Sequence, residues 1–368
     1  ILEYNITYRE KNAGLQAIIS YKTELGKWKQ KSKQGFPNSR EGKRKAKKWA
    51  DETLQTIKNN LANDINLDYE NITWKDFCDI YIKHLTVHMQ PKTIRAYKLS
   101  LLHFEDLNDI EISKLRPFHI QNCVDVLVQS NLKHSSIKSY LAKVKSILNA
   151  AINKYNIIIT NPARNIIFQG NKDPLDKRAL TIAELEDLLI KMSKIKEYQE
   201  FYIMSLFAGK CGLRLGETMG VKWSDIDFKN NVLLVRQQWK LLDEKEHYGF
   251  GPLKTLNSKR DVPLPLAVKK ALIQYDSLKP RNIDNRVVRL KSVNGVGSNI
   301  QRIFRKVGYE ISIHELRHTY ATLLISNGID FKTAAQLLGH TVEMTMRTYS
   351  HVTDDMIQKA AKIINQIM

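Results

Sequence analysis

The chain has 368 residues, of which 43% are hydrophobic and 26% charged, so it is long enough for two or three globular domains and is not a wholly disordered protein. No apolar run approaches the roughly 18 residues that span a bilayer, and residues 1–5 show no signal-peptide pattern, so we expect a cytoplasmic protein with no membrane partner. Lys and Arg outnumber Asp and Glu by 58 to 38, and this net charge of +20 favours a polyanionic partner, nucleic acid above all.

The three cysteines, Cys78, Cys123 and Cys211, stand far apart without a paired spacing. Disulfide frameworks and zinc sites both need closely spaced or paired cysteines. We therefore expect three reduced, buried thiols.

The N-terminal segment alternates apolar and polar residues over 4–8 and again over 15–21, which predicts two antiparallel strands. A third strand is predicted from Lys27 to Lys33. Ser39 can then cap a helix that runs to Ile57. The segment is predicted to fold as βββα.

Basic residues are dense between residues 27 and 48, where ten stand against one acidic residue, Glu41. Alternate residues of a strand project from the same face, so a row of lysines on a small sheet can enter a DNA groove. The ordinary alternative is a solvated charged face. The candidate DNA contacts here are Lys27, Lys29, Lys31 and Lys33.

A polar linker at residues 61–70 is followed by four predicted helices between residues 73 and 157. They begin at Thr73, which with Asp76 resembles a capping box, at Pro91, at Pro117, and at Ser135 or Ser136. Short connections between amphipathic helices are typical of a bundle. Basic residues on the second and fourth helices are candidate DNA contacts, or simply solvated surface: Lys92, Arg95 and Lys138.

A second polar linker at residues 170–178 marks the next domain boundary. Beyond it, Thr181 and Glu184 have capping-box spacing, an apolar helix is predicted over 200–210, and strands are predicted over 232–239 and 261–264. From Ser298 onward the pattern is mainly helical. The predicted domains are 1–62, 70–168 and 175–368, and the fold class is multidomain: a βββα domain, a four-helix bundle, and a mainly α domain with a small antiparallel sheet.

Four separated segments of the last domain carry residues suited to phosphate chemistry. They are Gly212–Glu217, Pro252–Arg260, His314–His318, and Leu338–His340 with Tyr349. Each is a weak signal alone. Arg214 can be a surface arginine, Lys254 one lysine of a predicted β-hairpin, His340 a helix-end cap, and Tyr349 a packed tyrosine.

The segment from His314 to His318 also satisfies H-E-x-x-H, the zinc-protease pattern in which two histidines hold the metal and Glu315 activates water. Arg317 would lie on the ligand face beside the dication, and no glycine-spaced third histidine follows. His314 and Arg317, three residues apart on one helix face, are instead suited to bind one anion together. We therefore predict no metal site.

Taken together, the four segments resemble the tyrosine recombinase (phage integrase) family from Arg178 to the end of the chain. The match rests on Gly-Leu-Arg-Leu-Gly-Glu, Leu-Lys-Thr, His-x-x-Arg, Leu-Leu-Gly-His and Thr-Tyr-Ser-His, in that order. The bundle is similar to the family's core-binding domain, and the βββα segment to the arm-binding domain of phage and conjugative-transposon integrases. The chain departs from the family's usual Thr-Gly-Leu-Arg at Lys210–Leu213, and it has Glu315 where Asp is frequent.

The resemblance implies six catalytic residues: Arg214, Lys254, His314, Arg317, His340 and Tyr349. The two arginines would hold the phosphate oxygens with forked donors, and the histidines would add hydrogen bonds. Lys254 would protonate the departing 5′-oxygen, and His314 can help accept the proton of the Tyr349 phenol. A 3′-phosphotyrosine retains the energy of the phosphodiester, so no cofactor is expected.

The resemblance also implies partners: double-stranded DNA attachment sites of core and arm type, a homotetramer that forms a Holliday junction, and accessory DNA-bending or excision proteins in a bacterial cell. Two other functions stay open, a type IB topoisomerase-like enzyme and a non-catalytic DNA-binding protein. A last amphipathic helix is predicted from Ile357, Ala360, Ala361 and Ile364, which can dock on its own domain or on a neighbouring protomer.

Overall fold

A computed structural model describes residues 2–11, 14–23, 26–169, 179–278, 281 and 283–349. The chain forms two compact units, Ile1–Asp173 and Pro174–Met368. Among the described helices, none combines the length and the apolar composition needed to cross a membrane. The last helix predicted from Ile357 to Ile364 lies outside the described residues.

The first unit begins with a three-stranded antiparallel sheet and one long helix, as the alternation predicts. The elements are β1 (Tyr4–Lys11), β2 (Gly14–Lys22), β3 (Trp28–Phe36) and α1 (Arg40–Ala62). The Ser39 hydroxyl accepts a hydrogen bond from Gly42 N at 3.1 Å, which caps α1. The predicted βββα order is confirmed.

Lys29 and Lys31 of β3 lie on one face of the strand, and the chain itself covers both, whereas Lys27 and Lys33 are exposed and remain predicted DNA contacts. Lys31 pairs with Ile19 and Lys29 with Tyr21, and these β2 residues are buried toward α1. Lys29 Nζ donates to the carbonyl of Leu67 at 2.6 Å. Lys31 Nζ bonds Glu70 Oε1 at 2.5 Å. The expectation that Lys29 and Lys31 enter a DNA groove is therefore corrected, because both ammonium groups serve intramolecular contacts.

Four helices follow and pack around one apolar core. They are α2 (Trp74–His88), α3 (Pro91–Leu102), α4 (Pro117–Gln129) and α5 (His134–Asn153). Thr73 caps α2, and prolines occupy the first positions of α3 and α4. The fourth helix begins earlier than predicted, because Lys133 is its N-cap and the two serines lie in the first turn. Lys92, Arg95 and Lys138 are exposed.

The second unit is mainly helical with two small sheets. Its helices are α6 (Ile182–Ser193), α7 (Gln199–Cys211), α8 (Leu215–Gly220), α9 (Leu266–Leu278), α10 (Val293–Lys306), α11 (Ile313–Ser326), α12 (Phe331–Leu338) and α13 (Val342–Tyr349). Its strands are β4 (Ile226–Asp227), β5 (Val232–Val235), β6 (Gln238–Leu241), β7 (Tyr248–Gly251) and β8 (Arg260–Pro263). One sheet has the order β4-β5-β8, and β6 pairs with β7. The predicted fold class is confirmed.

The strand predicted over 232–239 is two strands in two sheets. The chain leaves the first sheet at Arg236, whose Nη1 donates to the Arg260 carbonyl at 2.8 Å, and β6 packs on α8 instead. A side chain at Gly220 would come within 2.8 Å of Trp239 N, so the approach of α8 to β6 needs a glycine there.

The core of the second unit surrounds α7, which is apolar on nearly all sides and packs against α6, α9 and α11. Cys211 lies in this core, and Cys78 and Cys123 lie in the core of the bundle. All three are free and buried, as predicted. Burial raises the pKa of Cys211 to about 12, so its thiol is unreactive at neutral pH.

Candidate active site

The first arginine of the site is placed by the end of one helix and the start of the next. α7 ends at Gly212, which has φ +67° and whose absent Cβ would lie 2.4 Å from the Tyr320 ring. Arg214 is then the N-cap of α8, and Glu217 accepts a hydrogen bond from its backbone N at 2.9 Å. Only glycine tolerates both the positive φ and the close approach of the Tyr320 ring at position 212. This turn therefore sets the position of Arg214.

The C-terminus of α12 is the point on which the arginines converge. The last carbonyls of a helix have no partner within the helix and carry partial negative charge. Here three consecutive carbonyls each accept a hydrogen bond from a different arginine. The pairs are Arg260 Nε with Leu337 at 2.7 Å, Arg317 Nη2 with Leu338 at 2.5 Å, and Arg214 Nη2 with Gly339 at 2.9 Å.

Gly339 makes this convergence possible. It has φ +62°, and a Cβ there would lie 2.9 Å from Ser258 Cα and 3.2 Å from Arg260 Nη1. The connection before β8 therefore packs directly on the backbone of the helix end. His340 follows this turn and begins the segment that leads to Tyr349.

A buried carboxylate links the three guanidinium groups. Glu217 Oε1 lies 2.8 Å from Arg214 Nη1, and its Oε2 lies 2.8 Å from Arg260 Nη2 and 3.7 Å from Arg317 Nη1. Burial alone would raise the pKa of Glu217, but hydrogen bonding and charge from Arg260, with Arg214 and Arg317, outweigh it and lower the pKa. Three cations around one anion leave a buried excess of positive charge.

Arg317 is the most deeply buried of these cations, with 2% of its surface exposed. Its Nη1 donates to the Gly212 carbonyl at 2.5 Å, and its Nη2 lies 2.9 Å from His340 Nε2. Burial, followed by the charge of Arg214, lowers the pKa of Arg317 to about 9, so it stays charged at neutral pH. An additional anion at this point would relieve the repulsion among the arginines.

His340 is neutral in this environment. Burial and the charges of Arg317, Arg214 and Arg260 lower its pKa to about 3. A guanidinium only donates, so Nε2 must accept from Arg317 and the ring proton must lie on Nδ1. Nδ1 is buried and has no hydrogen-bond partner among the described residues. A buried unsatisfied donor is costly, and this one lies within the arginine cluster.

Tyr349 ends α13 and is 3% exposed within a small apolar cluster of α11 and α12 residues. Its ring stacks on His318, with centroids 5.0 Å apart and planes at 24°. Burial raises the pKa of the Tyr349 phenol, and the charge of Arg317 opposes this only in part. His318 thus has a packing role, and Glu315 accepts from Ser312 N at 2.6 Å as the capping residue of α11.

The other two predicted catalytic residues are exposed. His314 lies in the first turn of α11, and its charge contributes to the low pKa of His340. Lys254 lies after the β6–β7 hairpin rather than within it, in the connection to β8. In the part of the chain that the structure describes, no hydrogen bond or ion pair joins Lys254 to the other five. Thr255, its neighbour, bonds Ser258, whose hydroxyl lies 3.4 Å from Arg214 Nη1.

Two residues of this cluster were not predicted from the sequence: Glu217 and Arg260. Each left a signal. Glu217 stands three residues after Arg214, the spacing of a capping box. Arg260 stands two residues before Val262 in β8, and residues two apart on a strand lie on the same face. The buried face of β8 therefore carries a charged side chain.

Comparison with known families gives three matches along the chain. Residues 178–356 match the phage integrase family. Residues 6–57 match an arm DNA-binding domain, and residues 79–154 match the N-terminal SAM-like domain of phage integrases.

Individual relatives agree with these matches. The chain is 26% identical over 358 residues to a XerC-like tyrosine recombinase of Caldanaerobacter subterraneus subsp. tengcongensis, covering 88% of this chain and 90% of that protein. It is 24% identical to the transposase of transposon Tn916 from Enterococcus faecalis, over 86% of this chain and 83% of the relative. Its fold resembles that of the Tn1549 transposon integrase in complex with a circular intermediate DNA, with TM-score 0.64 and 21% identity over 78% of this chain and 99% of that one.

Proposed function

Because the chain belongs to the phage integrase family, we propose that it is a site-specific DNA recombinase of a mobile genetic element that cuts and rejoins DNA through Tyr349. The observation that carries this assignment is the convergence of three arginines and a neutral histidine on the C-terminus of α12. Such a cluster is suited to a phosphodiester whose oxygens gain charge in the transition state.

Arg214 and Arg317, with the two histidines, would hold the phosphate. The side chain of Arg214 is about a quarter exposed, and its Nη1 and Nη2 groups donate to Glu217, Ser258 and Gly339, so others of its five N–H groups remain for a phosphate oxygen. His314 and His340 would add further hydrogen bonds, as the family resemblance implies. Positions fixed before the substrate arrives need no reorganisation during the reaction.

Cleavage would proceed by in-line attack. The phenolic oxygen of Tyr349 forms a bond to phosphorus while the bond to the 5′-oxygen breaks, which leaves a 3′-phosphotyrosine and a free 5′-hydroxyl. His314 would help accept the phenolic proton, and Lys254 would supply a proton to the departing oxygen. Attack by the 5′-hydroxyl of another strand reverses these steps and rejoins the DNA.

A nicked DNA substrate tests the assignment. A nick just 3′ of the cleavage position lets a short 5′-hydroxyl fragment diffuse away, so the covalent complex accumulates and can be counted on a denaturing gel. We expect Tyr349→Phe to abolish the complex. Tyr320→Phe is the matched control, because this partly buried tyrosine of α11 also lies near Arg317, although burial raises the pKa of its phenol to about 12. It should retain the complex.

Wild-type protein that binds the element's end tightly but forms no covalent product would contradict the enzymatic assignment and favour a DNA-binding protein. A topoisomerase-like function predicts instead that plasmids lacking the element's sequences are relaxed at the same rate as plasmids that carry them.

The partners follow from the chemistry and from the domain matches. Exchange between two duplexes cuts four strands, and each protomer supplies one Tyr349, so we propose a homotetramer that passes through a Holliday junction, with DNA-bending or excision proteins as accessories. We propose that residues 1–62 bind arm sites, 70–168 bind core sites and 175–368 carry catalysis.

The open face of the N-terminal sheet, rather than Lys29 and Lys31, is our proposed arm-DNA contact. Trp28, Gln30 and Ser32 lie on the face opposite Lys29 and Lys31 and are exposed. Replacing Gln30 and Ser32 together by Glu places two negative charges there and should weaken binding to the element's end by at least ~10-fold without lowering Tm. Lys29→Met is the contrast, and should lower Tm because the Leu67 carbonyl loses its donor. Filter-binding measures the DNA affinity and thermal melts the Tm. If Lys29 contacts DNA instead, Lys29→Met would weaken DNA binding and the double Glu variant would not.

A further inference from the structure

Arg260 is the one buried arginine of the cluster to which the proposed reaction gives no role of its own. It is 7% exposed on β8. Its Nε donates to the Leu337 carbonyl at 2.7 Å, its Nη1 to the Ser258 carbonyl at 2.9 Å, and its Nη2 to Glu217 Oε2 at 2.8 Å. These contacts join three parts of the site: the connection that carries Lys254, the carboxylate beneath Arg214, and the helix end before His340.

Glu217 is an anion next to the arginines that would bind the phosphate. A buried carboxylate competes with the substrate phosphate for the same guanidinium groups, because both are anions that accept forked hydrogen bonds. Glu217 Oε1 already takes one donor of Arg214. The donors that satisfy Oε2 are Arg260 and the backbone N of Arg214. The next cation is Arg317, 3.7 Å away.

We propose that Arg260 is a positioning residue: it saturates Glu217, so that Arg214 and Arg317 stay available to the scissile phosphate, and it ties β8 to the end of α12. The inference rests on the proposed recombinase function. With Arg260 present, the three guanidinium groups and one carboxylate carry a net charge of +2. Without Arg260 the net charge is +1, and Glu217 Oε2 would accept a hydrogen bond from Arg317 instead.

The loss of Arg260 should therefore slow the chemical step more than it weakens DNA binding. In Arg260→Met we expect covalent complex on the nicked substrate to form ~10²-fold more slowly under single-turnover conditions, with DNA affinity within about three-fold of wild type. Arg260→Lys, which keeps the charge but not the fork, should lie between the two.

A matched control separates positioning from folding. Arg286 is equally buried in the same unit, but it stacks on Trp239 at 3.5 Å and donates to the Leu290 carbonyl, away from the helix end. Arg286→Met should lower Tm as much as Arg260→Met does, yet change the cleavage rate by only a few-fold. Equal slowing by the two variants would overturn the proposal.

Two further measurements report on the carboxylate itself. Adding Glu217→Gln to Arg260→Met removes the competing charge and should restore the rate at least ~10-fold. A methylphosphonate at the scissile position carries one negative charge fewer, so the ratio of wild-type to Arg260→Met rates should shrink on that substrate. A double variant no faster than Arg260→Met, with an unchanged ratio on the methylphosphonate, would show that Arg260 does not act through Glu217. A wild-type protein without covalent complex would overturn the recombinase function itself.

Discussion

Replacing Arg317 by Ala should lower the rate of covalent complex formation by at least ~10³-fold. Arg317 contacts the end of α7, the end of α12 and His340 at once. Its removal takes two donors from the site, leaves the Leu338 carbonyl without its side-chain partner, and leaves the Gly212 carbonyl with only the weaker 3.4 Å contact to Arg260 Nη2. Single-turnover cleavage of the nicked substrate measures the rate.

The loss must be separated from unfolding, since orphaned buried carbonyls cost roughly 1–3 kcal/mol each. Arg317→Lys keeps a positive charge but cannot reach Leu338 and Gly212 together, so it should be more stable than Arg317→Ala and still at least ~10²-fold slow. A lysine variant within ten-fold of wild type would mean that charge alone suffices, and that the forked geometry on the helix end plays no part.

Lys254→Ala should slow cleavage of an ordinary phosphodiester by ~10²- to 10⁴-fold, because the 5′-oxygen would leave without a proton. The same variant should cleave a substrate with sulfur in place of the bridging 5′-oxygen nearly as fast as wild type, since a thiolate is a far better leaving group than an alkoxide. Denaturing gels on the two substrates give both rates.

Lys259→Ala is the control for this test, because Lys259 is an exposed lysine in the same connection to β8. It should show a modest loss on both substrates through weaker DNA binding, with no rescue by sulfur. If sulfur rescues neither variant, or both equally, the proton comes from another group.

The parts of the fold that the sequence predicts are those set by local signals. Ser39, Thr73 and Thr181 each accept the cap hydrogen bond that their spacing indicates. Gly212 and Gly339 end helices in the left-handed conformation. The sequence predicts a helix end at Gly339, because glycine is the residue that most often adopts this conformation after a helix. These features depend on a few neighbouring residues, so one sequence suffices to place them.

The parts that the sequence does not predict depend on long-range packing. The face of β3 that α1 covers could not be read from the lysine alternation, because a period of two does not say which side becomes the core. The break between β5 and β6 depends on Gly220, which lets α8 approach Trp239. Whether α5 starts at Ser135 or at His134 depends on one turn of backbone that propensity leaves ambiguous.

The candidate site divides in the same way. The roles expected for the six residues came from a family resemblance, and the structure places Arg214, Arg317 and His340 in contact around the end of α12. Glu217 and Arg260 are paired across 43 residues of sequence, and a spacing of that kind has no local signature. Buried charges must be compensated, so three arginines near one point would have implied a carboxylate only after their convergence was known.

The most direct measurement is the identity of the residue that carries the DNA. Covalent complex formed on a nicked attachment-site duplex can be digested with nuclease and protease, and the peptides sequenced by mass spectrometry. We predict a nucleotide attached through its 3′-phosphate to Tyr349, and to no other residue. A 3′-phosphoryl adduct on a different side chain, or a 5′-phosphoryl linkage on Tyr349, would contradict the account.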